Sequence, residues 1–200
     1  MNEKFFALPR EKQDRMINAA IKVFALKGYD KAGTDSMIKE AGISKGLLFH
    51  YFGSKINLYA FVTEYCTRYL MMELAGCVDA GEKNIFERIR IVEESKLRML
   101  DFYPYLDLFL ISLKGEDDET AKECSAQWVK KVEETYKGLI EDGADENLLK
   151  DGLDKTRARE LTELSMEGYK LRSYGAGATP KEMVNGYLPY LNILKEALSK

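Results

Sequence analysis

The sequence predicts an all-α protein of about nine helices, and two observations lead to this prediction. Apolar residues recur at spacings of three and four along nearly the whole chain, as they do on the buried face of a helix. No stretch alternates strictly between apolar and polar residues, which is the pattern expected of a half-buried strand. Of the 200 residues, 46% are hydrophobic and 32% are charged, a composition that allows a buried core of ordinary size.

The first three predicted helices are marked by glycine and proline. A helix is expected from Pro9 to Gly28, because proline is well tolerated where a helix begins and glycine where it ends. Two short helices are expected next, over about 34–41 and 45–51. Gly42 lies between them, which indicates a tight turn.

The longer helices follow in the rest of the chain. Ser54 can cap a long fourth helix that is expected to run to about residue 78. Pro189 removes a backbone hydrogen bond from the last helix and is expected to kink or interrupt it. The acidic run 116–119 is expected to be a solvated helix start, where carboxylates favour the positive end of the helix dipole. The other helices are predicted over about 85–102, 105–113, 118–141, 155–174 and 180–198.

Composition also indicates where the protein works. Cys66, Cys77 and Cys124 are odd in number and have no C-x-x-C spacing, so neither a disulfide framework nor a zinc site is predicted. The N-terminal apolar run 5–8 is too short for a signal peptide. No uninterrupted apolar stretch approaches the roughly 18 residues of a membrane-spanning helix. We therefore expect a cytoplasmic protein without a membrane partner.

Charge is distributed unevenly along the chain. Residues 1–60 carry 10 Lys and Arg against 6 Asp and Glu, whereas residues 61–200 carry 20 against 27. A basic N-terminal part can attract a polyanion while an acidic remainder keeps the molecule soluble. Chance scatter is the alternative explanation of the same numbers.

The stretch 34–52 predicts a helix-turn-helix, since two short helices are joined by a turn that contains glycine. Met37 and Ala41 would face inward from the first of these helices, and Leu48 and Phe52 from the second. The remaining surface of the second helix would face outward, with backbone N–H groups at its N-terminus available to a phosphate.

Several motifs recur here at the spacings of one known family. They are RMINAA at 15–20, Gly28-Tyr29, AGISKGLLFHYF at 41–52 and GSK at 53–55. Over about residues 10–60 the chain thus resembles the TetR family of bacterial transcriptional regulators. The resemblance implies a three-helix DNA-binding domain at 1–55, followed by a helical ligand-sensing and dimerisation domain at 56–200.

The resemblance also implies which residues contact DNA. Leu47 stands where many members have threonine, so a contact with a thymine methyl group can replace a hydrogen bond. Phe49 stands where tyrosine is common, which removes one hydroxyl contact with phosphate. Tyr51 has an alternative role in packing against the first helix. The implied DNA-binding residues are Gly33, Thr34, Ser44, Lys45, Gly46, Leu47, Phe49, His50, Tyr51 and Lys55.

The larger C-terminal part is rich in tyrosine and methionine. As a set, these side chains suit a pocket for an apolar or aromatic small molecule, although core packing explains each one singly. The predicted pocket residues are Tyr65, Tyr69, Met72, Tyr103, Phe109, Trp128, Tyr136 and Tyr169.

A homodimer is expected because one short recognition helix covers only a few base pairs, so two copies would bind a palindrome. The last two helices would form the interface, as the resemblance implies. The predicted interface residues are Leu161, Leu164, Gly168, Val184, Tyr187, Leu188, Leu191 and Leu194.

Together these features predict a ligand-responsive regulator, a repressor that a small molecule releases from double-stranded operator DNA. No cofactor is implied. One histidine and the lack of a glycine-rich phosphate loop argue against catalysis. The alternative is a small-molecule-binding helical bundle or an enzyme with an incidental helix-turn-helix resemblance. A non-specific DNA-coating protein would need a more basic chain than the sequence pI of about 5.5 indicates.

Overall fold

The structure, a computed structural model, describes residues 3–200. These residues form eleven α-helices and a short 3-10 helix at Glu146–Leu148, and β-structure among them is limited to an isolated bridge between Leu149 and Ser199. The helices are α1 (Glu3–Phe6), α2 (Arg10–Lys31), α3 (Thr34–Ala41), α4 (Lys45–Phe52), α5 (Lys55–Leu74), α6 (Ile85–Ser95), α7 (Leu97–Phe102), α8 (Leu106–Lys114), α9 (Glu119–Ile140), α10 (Lys155–Gly175) and α11 (Pro180–Leu198).

The all-α prediction is confirmed, with two more helices than the nine expected. Helix α1 precedes the predicted start at Pro9. The helix expected over 85–102 is divided at Lys96, whose backbone N–H bonds to the carbonyl of Glu93 at 3.3 Å in a tighter turn. Helix α5 ends at Leu74 rather than near residue 78, and the left-handed conformation of Gly76 (φ 71°) turns the chain away.

Helix α2 contains a break where the sequence predicts its end. Gly28 has φ 67° and ψ 173°, a conformation that side-chain-bearing residues rarely adopt. The chain then makes one further helical turn to Lys31. The break releases the backbone N–H of Tyr29 from the regular hydrogen-bonding pattern of the helix, so this group needs another acceptor.

Helix α11 is continuous through Pro189, so the proline does not interrupt it, and the expected kink stays a prediction. Its N-terminus is well specified: Pro180 occupies the first turn, and Thr179 and Glu182 form a reciprocal capping box. Pro189 is exposed, so the carbonyl that loses its helical partner can be solvated.

The chain forms two compact units. Unit 1 contains the described residues up to Tyr69 together with Tyr103–Lys130, and unit 2 contains Leu70–Phe102 with Lys131–Lys200. Helices α5 and α9 each continue from one unit into the other. The predicted functional boundary between residues 55 and 56 stays a prediction.

Each unit has a core of its own. In unit 1, Phe24 of α2 packs with Tyr59 of α5 and Phe109 of α8, with ring centroids 5.0 to 6.3 Å apart. In unit 2, the buried carboxylate of Glu93 accepts hydrogen bonds from Lys96 at 2.5 Å and from Lys170 at 2.6 Å. This ion cluster ties α6 to α10. Within residues 3–200, no helix combines the length and apolar character needed to cross a membrane.

Candidate functional site

Helices α3 and α4 form the predicted helix-turn-helix. Gly42 adopts the left-handed conformation (φ 63°), and the backbone N–H of Ile43 donates to the carbonyl of Ile38 at 3.2 Å. These bonds close the end of α3 and turn the chain sharply into α4. Four buried side chains hold the two helices in place: Met37, Ala41, Leu48 and Phe52.

The N-terminus of α4 is ordered by a cap. The Ser44 hydroxyl oxygen accepts a hydrogen bond from the backbone N–H of Leu47 at 3.2 Å. Gly46 lies in this first turn, where an added side chain would meet open space. The start of α4 is therefore an exposed, positively polarised helix end with open space beside Gly46.

The structure brings all ten predicted DNA-binding residues to positions that are at least partly exposed. Ser44, Lys45, Gly46 and His50 are exposed on or next to α4. Gly33, which lies just before α3, is exposed as well. The remaining five are half-buried: Thr34, Leu47, Phe49, Tyr51 and Lys55. These residues come from the start of α3, from α4 and from the start of α5, and all of them are accessible to a partner.

Lys45 lies close to an acidic residue on the same surface. Its Nζ is 3.3 Å from Oδ1 of Asp35, and both side chains are well exposed. Such an exposed ion pair contributes little to stability. The ammonium group can therefore exchange this carboxylate for a phosphate at small cost.

Tyr51 packs on α1. Its ring centroid lies 5.9 Å from that of Phe5, which is fully buried, and 5.0 Å from the ring of exposed His50. Tyr51 was alternatively expected to pack against the first predicted helix, which begins at Pro9. The ring of Tyr51 instead contacts Phe5 in α1, the helix that comes before it. Its contact with DNA stays a prediction.

Lys55, the first residue of α5, is held in a defined position. Its Nζ donates to the backbone carbonyl of Asp30 at 3.1 Å and lies 4.3 Å from the ring centroid of Tyr29. Both partners belong to the short turn that follows the break at Gly28. A lysine ammonium has three donors, so this arrangement leaves capacity for a phosphate oxygen.

The run 116–119 does lead into a helix, since α9 begins at Glu119 and Asp118 accepts the backbone N–H of Ala121, but Glu116 is half-buried rather than solvated as expected. One carboxylate oxygen accepts the backbone N–H of Tyr29 at 3.0 Å. The other accepts the N–H groups of Asp117 and Asp118, each at 3.1 Å. Sequence periodicity gives no indication of this contact, because Glu116 and Tyr29 are 87 residues apart.

A second polar cluster joins α2 to α5. Tyr103 donates to Asp14 at 2.6 Å, and its hydroxyl lies 2.8 Å from the hydroxyl of Tyr65. The guanidinium of Arg10 donates to both tyrosine hydroxyls, at 3.2 and 3.3 Å. No sequence pattern singles out Arg10 and Asp14, although Tyr65 and Tyr103 are among the predicted pocket residues.

The eight predicted pocket residues are divided between the two units. In unit 1, the rings of Tyr65, Tyr69 and Tyr103 form one cluster with centroids 5.5 to 6.2 Å apart. Phe109 is completely buried in the core. Trp128 on α9 lies against Arg68 of α5, whose guanidinium carbon is 5.4 Å from the indole ring.

The other three lie in unit 2 and have different environments. Met72 is 62% exposed, so it is a surface residue of this unit. The Tyr136 hydroxyl accepts a hydrogen bond from Lys96 at 3.3 Å. Tyr169 packs on Tyr187 and Tyr190, with ring centroids 6.1 and 5.6 Å away.

Three predicted interface residues lie in the core of unit 2. Val184, Tyr187 and Leu191 are only 2–4% exposed, because one face of α11 packs inward against the same chain. The exposed apolar residues of α10 and α11 lie elsewhere, and they include Tyr190 and Ile193. A groove of about 400 Å³ runs between these two helices, lined by Leu164, Ser165, Gly168, Tyr169, Arg172, Tyr190, Ile193 and Leu194.

Residues 16–61 match the family model described as bacterial regulatory proteins, tetR family. The negative transcriptional regulator IcaR of the icaADBC biofilm operon in Staphylococcus aureus is 34% identical over 94 residues, 44% of this chain and 50% of that protein. The transcriptional activator FasR of Mycolicibacterium smegmatis is 39% identical over 64 residues, 32% of this chain and 29% of that protein. The chain thus spans half or less of the length of these curated relatives.

Solved structures share the fold over nearly the whole chain. A TetR family regulator from Agrobacterium tumefaciens has a TM-score of 0.68 at 15% identity, with 96% of this chain and 100% of that chain covered. FadR from Bacillus subtilis, solved with stearoyl-CoA, has a TM-score of 0.62 at 17% identity and covers 90% of this chain and 96% of that one. At such identities the likeness shows the fold alone. Residues 16–61 are thus similar to the tetR family of bacterial regulatory proteins, and the chain shares its fold with solved regulators of that family.

Proposed function

We propose that the chain is a ligand-responsive transcriptional regulator, a repressor that binds a palindromic operator as a homodimer. The exposed start of α4, capped by Ser44 and fixed through Leu48 and Phe52, is the observation that carries this proposal. Helix α4 has the length of a recognition helix, and it presents a positive N-terminal end and partly exposed apolar side chains. A bacterial regulator of this kind acts on chromosomal DNA in the cytoplasm, and we propose no enzymatic activity.

Two classes of DNA contact support different parts of this function. Lys45, Lys55 and Thr34 would contact phosphates, which set affinity and its dependence on salt. Leu47, Phe49 and His50 would face base edges and groove walls, which set sequence preference. Tyr51 would contribute mainly by packing on Phe5.

Dimerisation through α10 and α11 is supported by their exposed apolar surface. Leu161, Leu164 and Leu171 of α10 are 43–69% exposed, and Tyr190 and Ile193 of α11 are 53% and 59% exposed. Leu164, Tyr190 and Ile193 line one groove, and a monomer seldom leaves so many large apolar side chains uncovered on two neighbouring helices. From the predicted set we keep Leu161, Leu164, Gly168, Leu188 and Leu194 in the interface.

A small apolar or aromatic ligand would release the operator. The cluster of Tyr65, Tyr69 and Tyr103 supports this, because the hydroxyls of Tyr65 and Tyr103 bond to Arg10 and that of Tyr103 also to Asp14 in α2. A ligand that displaces the rings would disturb the helix that precedes the helix-turn-helix. Release requires only that the ligand prefer the displaced state.

Selection of bound fragments from a random DNA pool, followed by affinity measurements at several salt concentrations, tests the DNA part. One short palindrome should be enriched and bound far more tightly than bulk DNA. If no sequence is enriched, the regulator proposal fails.

The alternative, a helical bundle that binds or converts a small molecule and has an incidental helix-turn-helix, predicts a different pattern. A thermal-shift series with stearoyl-CoA, free stearate and aromatic acids would then show binding without any effect on DNA. In the proposed function, a molecule that stabilises the protein also lowers its affinity for the selected operator. FadR supplies the reason to include stearoyl-CoA in the series.

A further inference from the structure

The turn after Gly28 connects the loop between α8 and α9 to Lys55. Because Gly28 breaks α2, the backbone N–H of Tyr29 bonds to Oε2 of Glu116 at 3.0 Å instead of to a helix carbonyl. The ring of Tyr29 and the carbonyl of the next residue, Asp30, are the two groups that hold the Lys55 ammonium. One carboxylate from a distant loop thus fixes the short segment on which the lysine rests.

Glu116 is itself held in place from both sides. Its second oxygen accepts the N–H groups of Asp117 and Asp118 where α9 begins. Burial raises the pKa of the neighbouring Tyr59 hydroxyl, and the negative charge of Glu116 raises it further. Glu116 is half-buried, so water competes less for its hydrogen bonds than at an exposed position.

We propose that Glu116 is a positioning residue for DNA binding: it fixes the Tyr29–Asp30 segment and thereby holds the Lys55 ammonium ready for an operator phosphate. This inference rests on the proposed function and adds to it a residue outside the helix-turn-helix. A lysine loses side-chain freedom when it binds phosphate. A lysine already held by a ring and a carbonyl has less freedom left to lose, so affinity increases.

The aromatic packing of Tyr29 gives a competing explanation of the same geometry. Its ring lies 6.2 Å from that of Phe24 and 5.2 Å from that of Tyr59. If these contacts alone hold the segment, removal of the carboxylate changes nothing at Lys55. The two explanations therefore differ in what substitution of Glu116 does to DNA binding.

The test compares Glu116→Ala, Lys55→Ala and the double variant on the operator selected by the wild type. Glu116→Ala should weaken binding about 5- to 10-fold, which corresponds to the net contribution of one ordinary intramolecular hydrogen bond. It should also lower the salt slope by up to about one unit, as loss of one phosphate contact does. In the Lys55→Ala background, Glu116→Ala should change affinity by less than about twofold, since coupled residues are not additive.

Asp118→Ala is the matched control. Asp118 caps α9 through the backbone N–H of Ala121 at 2.9 Å, so its loss perturbs the same helix end without removing the bond to Tyr29. We expect wild-type affinity and salt slope for this variant. An equal defect in Asp118→Ala would mean that Glu116 acts only on the stability of α9, and the inference would be overturned.

Glu116→Asp guards against loss of folding. It keeps a carboxylate at the start of α9 but shortens its reach by one methylene group. Exchange of the Tyr29 amide hydrogen, followed by NMR without DNA, should accelerate in both Glu116 variants and not in Asp118→Ala. Wild-type exchange at Tyr29, or fully additive effects of the Glu116 and Lys55 substitutions, would refute the inference. If the wild type selects no operator, the proposed function fails instead, and the exchange measurement still tests the contact.

Discussion

The hydroxyl of Tyr103 donates a hydrogen bond of 2.6 Å to the carboxylate of Asp14, so a completely buried tyrosine holds the first half of α2. The two residues are 89 positions apart in sequence. Arg10 bonds to the same hydroxyl and to the other oxygen of Asp14. The contact belongs to unit 1 and does not depend on any partner.

Tyr103→Phe should lower the free energy of unfolding by about 1.5–3 kcal/mol, the usual loss for a hydrogen bond to a charged group. The ring stays in place, so the effect isolates the hydroxyl. Urea unfolding at fixed protein concentration measures it. Tyr190→Phe, at a residue 53% exposed, should change stability by no more than about 0.5 kcal/mol. Equal effects of the two substitutions would show that the bond to Asp14 contributes nothing.

Alkaline pH should destabilise the fold through its buried tyrosines. Burial raises the pKa of Tyr59, Tyr103 and Tyr187 well above the ordinary value of 10.0. The stability that they contribute is complete below pH 10 and is lost as pH rises further, because the unfolded chain then releases protons that the folded chain retains.

Tyrosinate absorbance during a pH titration checks this expectation. Of the 12 tyrosines, these three should ionise only together with unfolding. Above pH 10, the free energy of unfolding should fall less steeply with pH in Tyr103→Phe than in the wild type. The difference between the two slopes should be up to about 1.4 kcal/mol per pH unit, the contribution of one proton. A single smooth titration of all tyrosines in folded protein would contradict the prediction.

Substitutions should distinguish the residues that contact phosphate from those that contact bases. Lys55→Ala should weaken binding to all DNA sequences alike and reduce the salt slope by about one unit. Leu47→Thr should change the preferred base and leave the slope unaltered, because threonine can replace a methyl contact by a hydrogen bond. Lys122→Ala, at an exposed lysine of α9, serves as the control and should match the wild type. Unchanged binding by Lys55→Ala at every salt concentration would remove Lys55 from the site.

A charge should have different effects on the exposed apolar surface of α10 and on the buried face of α11. Leu164→Glu, at a residue 69% exposed, should give a folded monomer that has lost operator binding. Leu191→Glu, at a residue 2% exposed, should unfold the chain, since a charge is then buried without a partner. Sedimentation and circular dichroism distinguish these outcomes. Leu26→Glu, at an exposed residue of α2, is the control and should stay folded and dimeric. If Leu164→Glu also stays dimeric, the interface lies elsewhere.

The helix-turn-helix could be predicted from sequence because its determinants are local. Gly42, Ser44 and the apolar side chains around them define the turn, the cap and the inward face within about twenty residues. The predicted dimer interface combined buried with exposed residues, because the determinants of the interface are not local. Helix α11 is apolar on more than one side, and periodicity does not tell whether Leu191 or Ile193 faces the core. That choice depends on how α6 and α10 pack, which only the structure shows.

The contacts of Glu116, Arg10 and Asp14 lay beyond sequence reasoning because charged residues have no periodic pattern. Each is a polar residue on a helix or a loop, where solvation is the usual state. Their partners, Tyr29, Tyr65 and Tyr103, are between 55 and 93 residues away. A distant hydrogen bond leaves no mark on the local sequence.

The single tryptophan of the chain is a built-in optical probe. Trp128 on α9 lies against Arg68 of α5, with 5.4 Å between the guanidinium and the ring, so its emission depends on the packing of these two helices. Unlabelled protein can therefore be titrated with candidate small molecules or with DNA fragments while fluorescence is recorded. Arg68→Met would remove the cation beside the indole and calibrate how much of the signal comes from that contact.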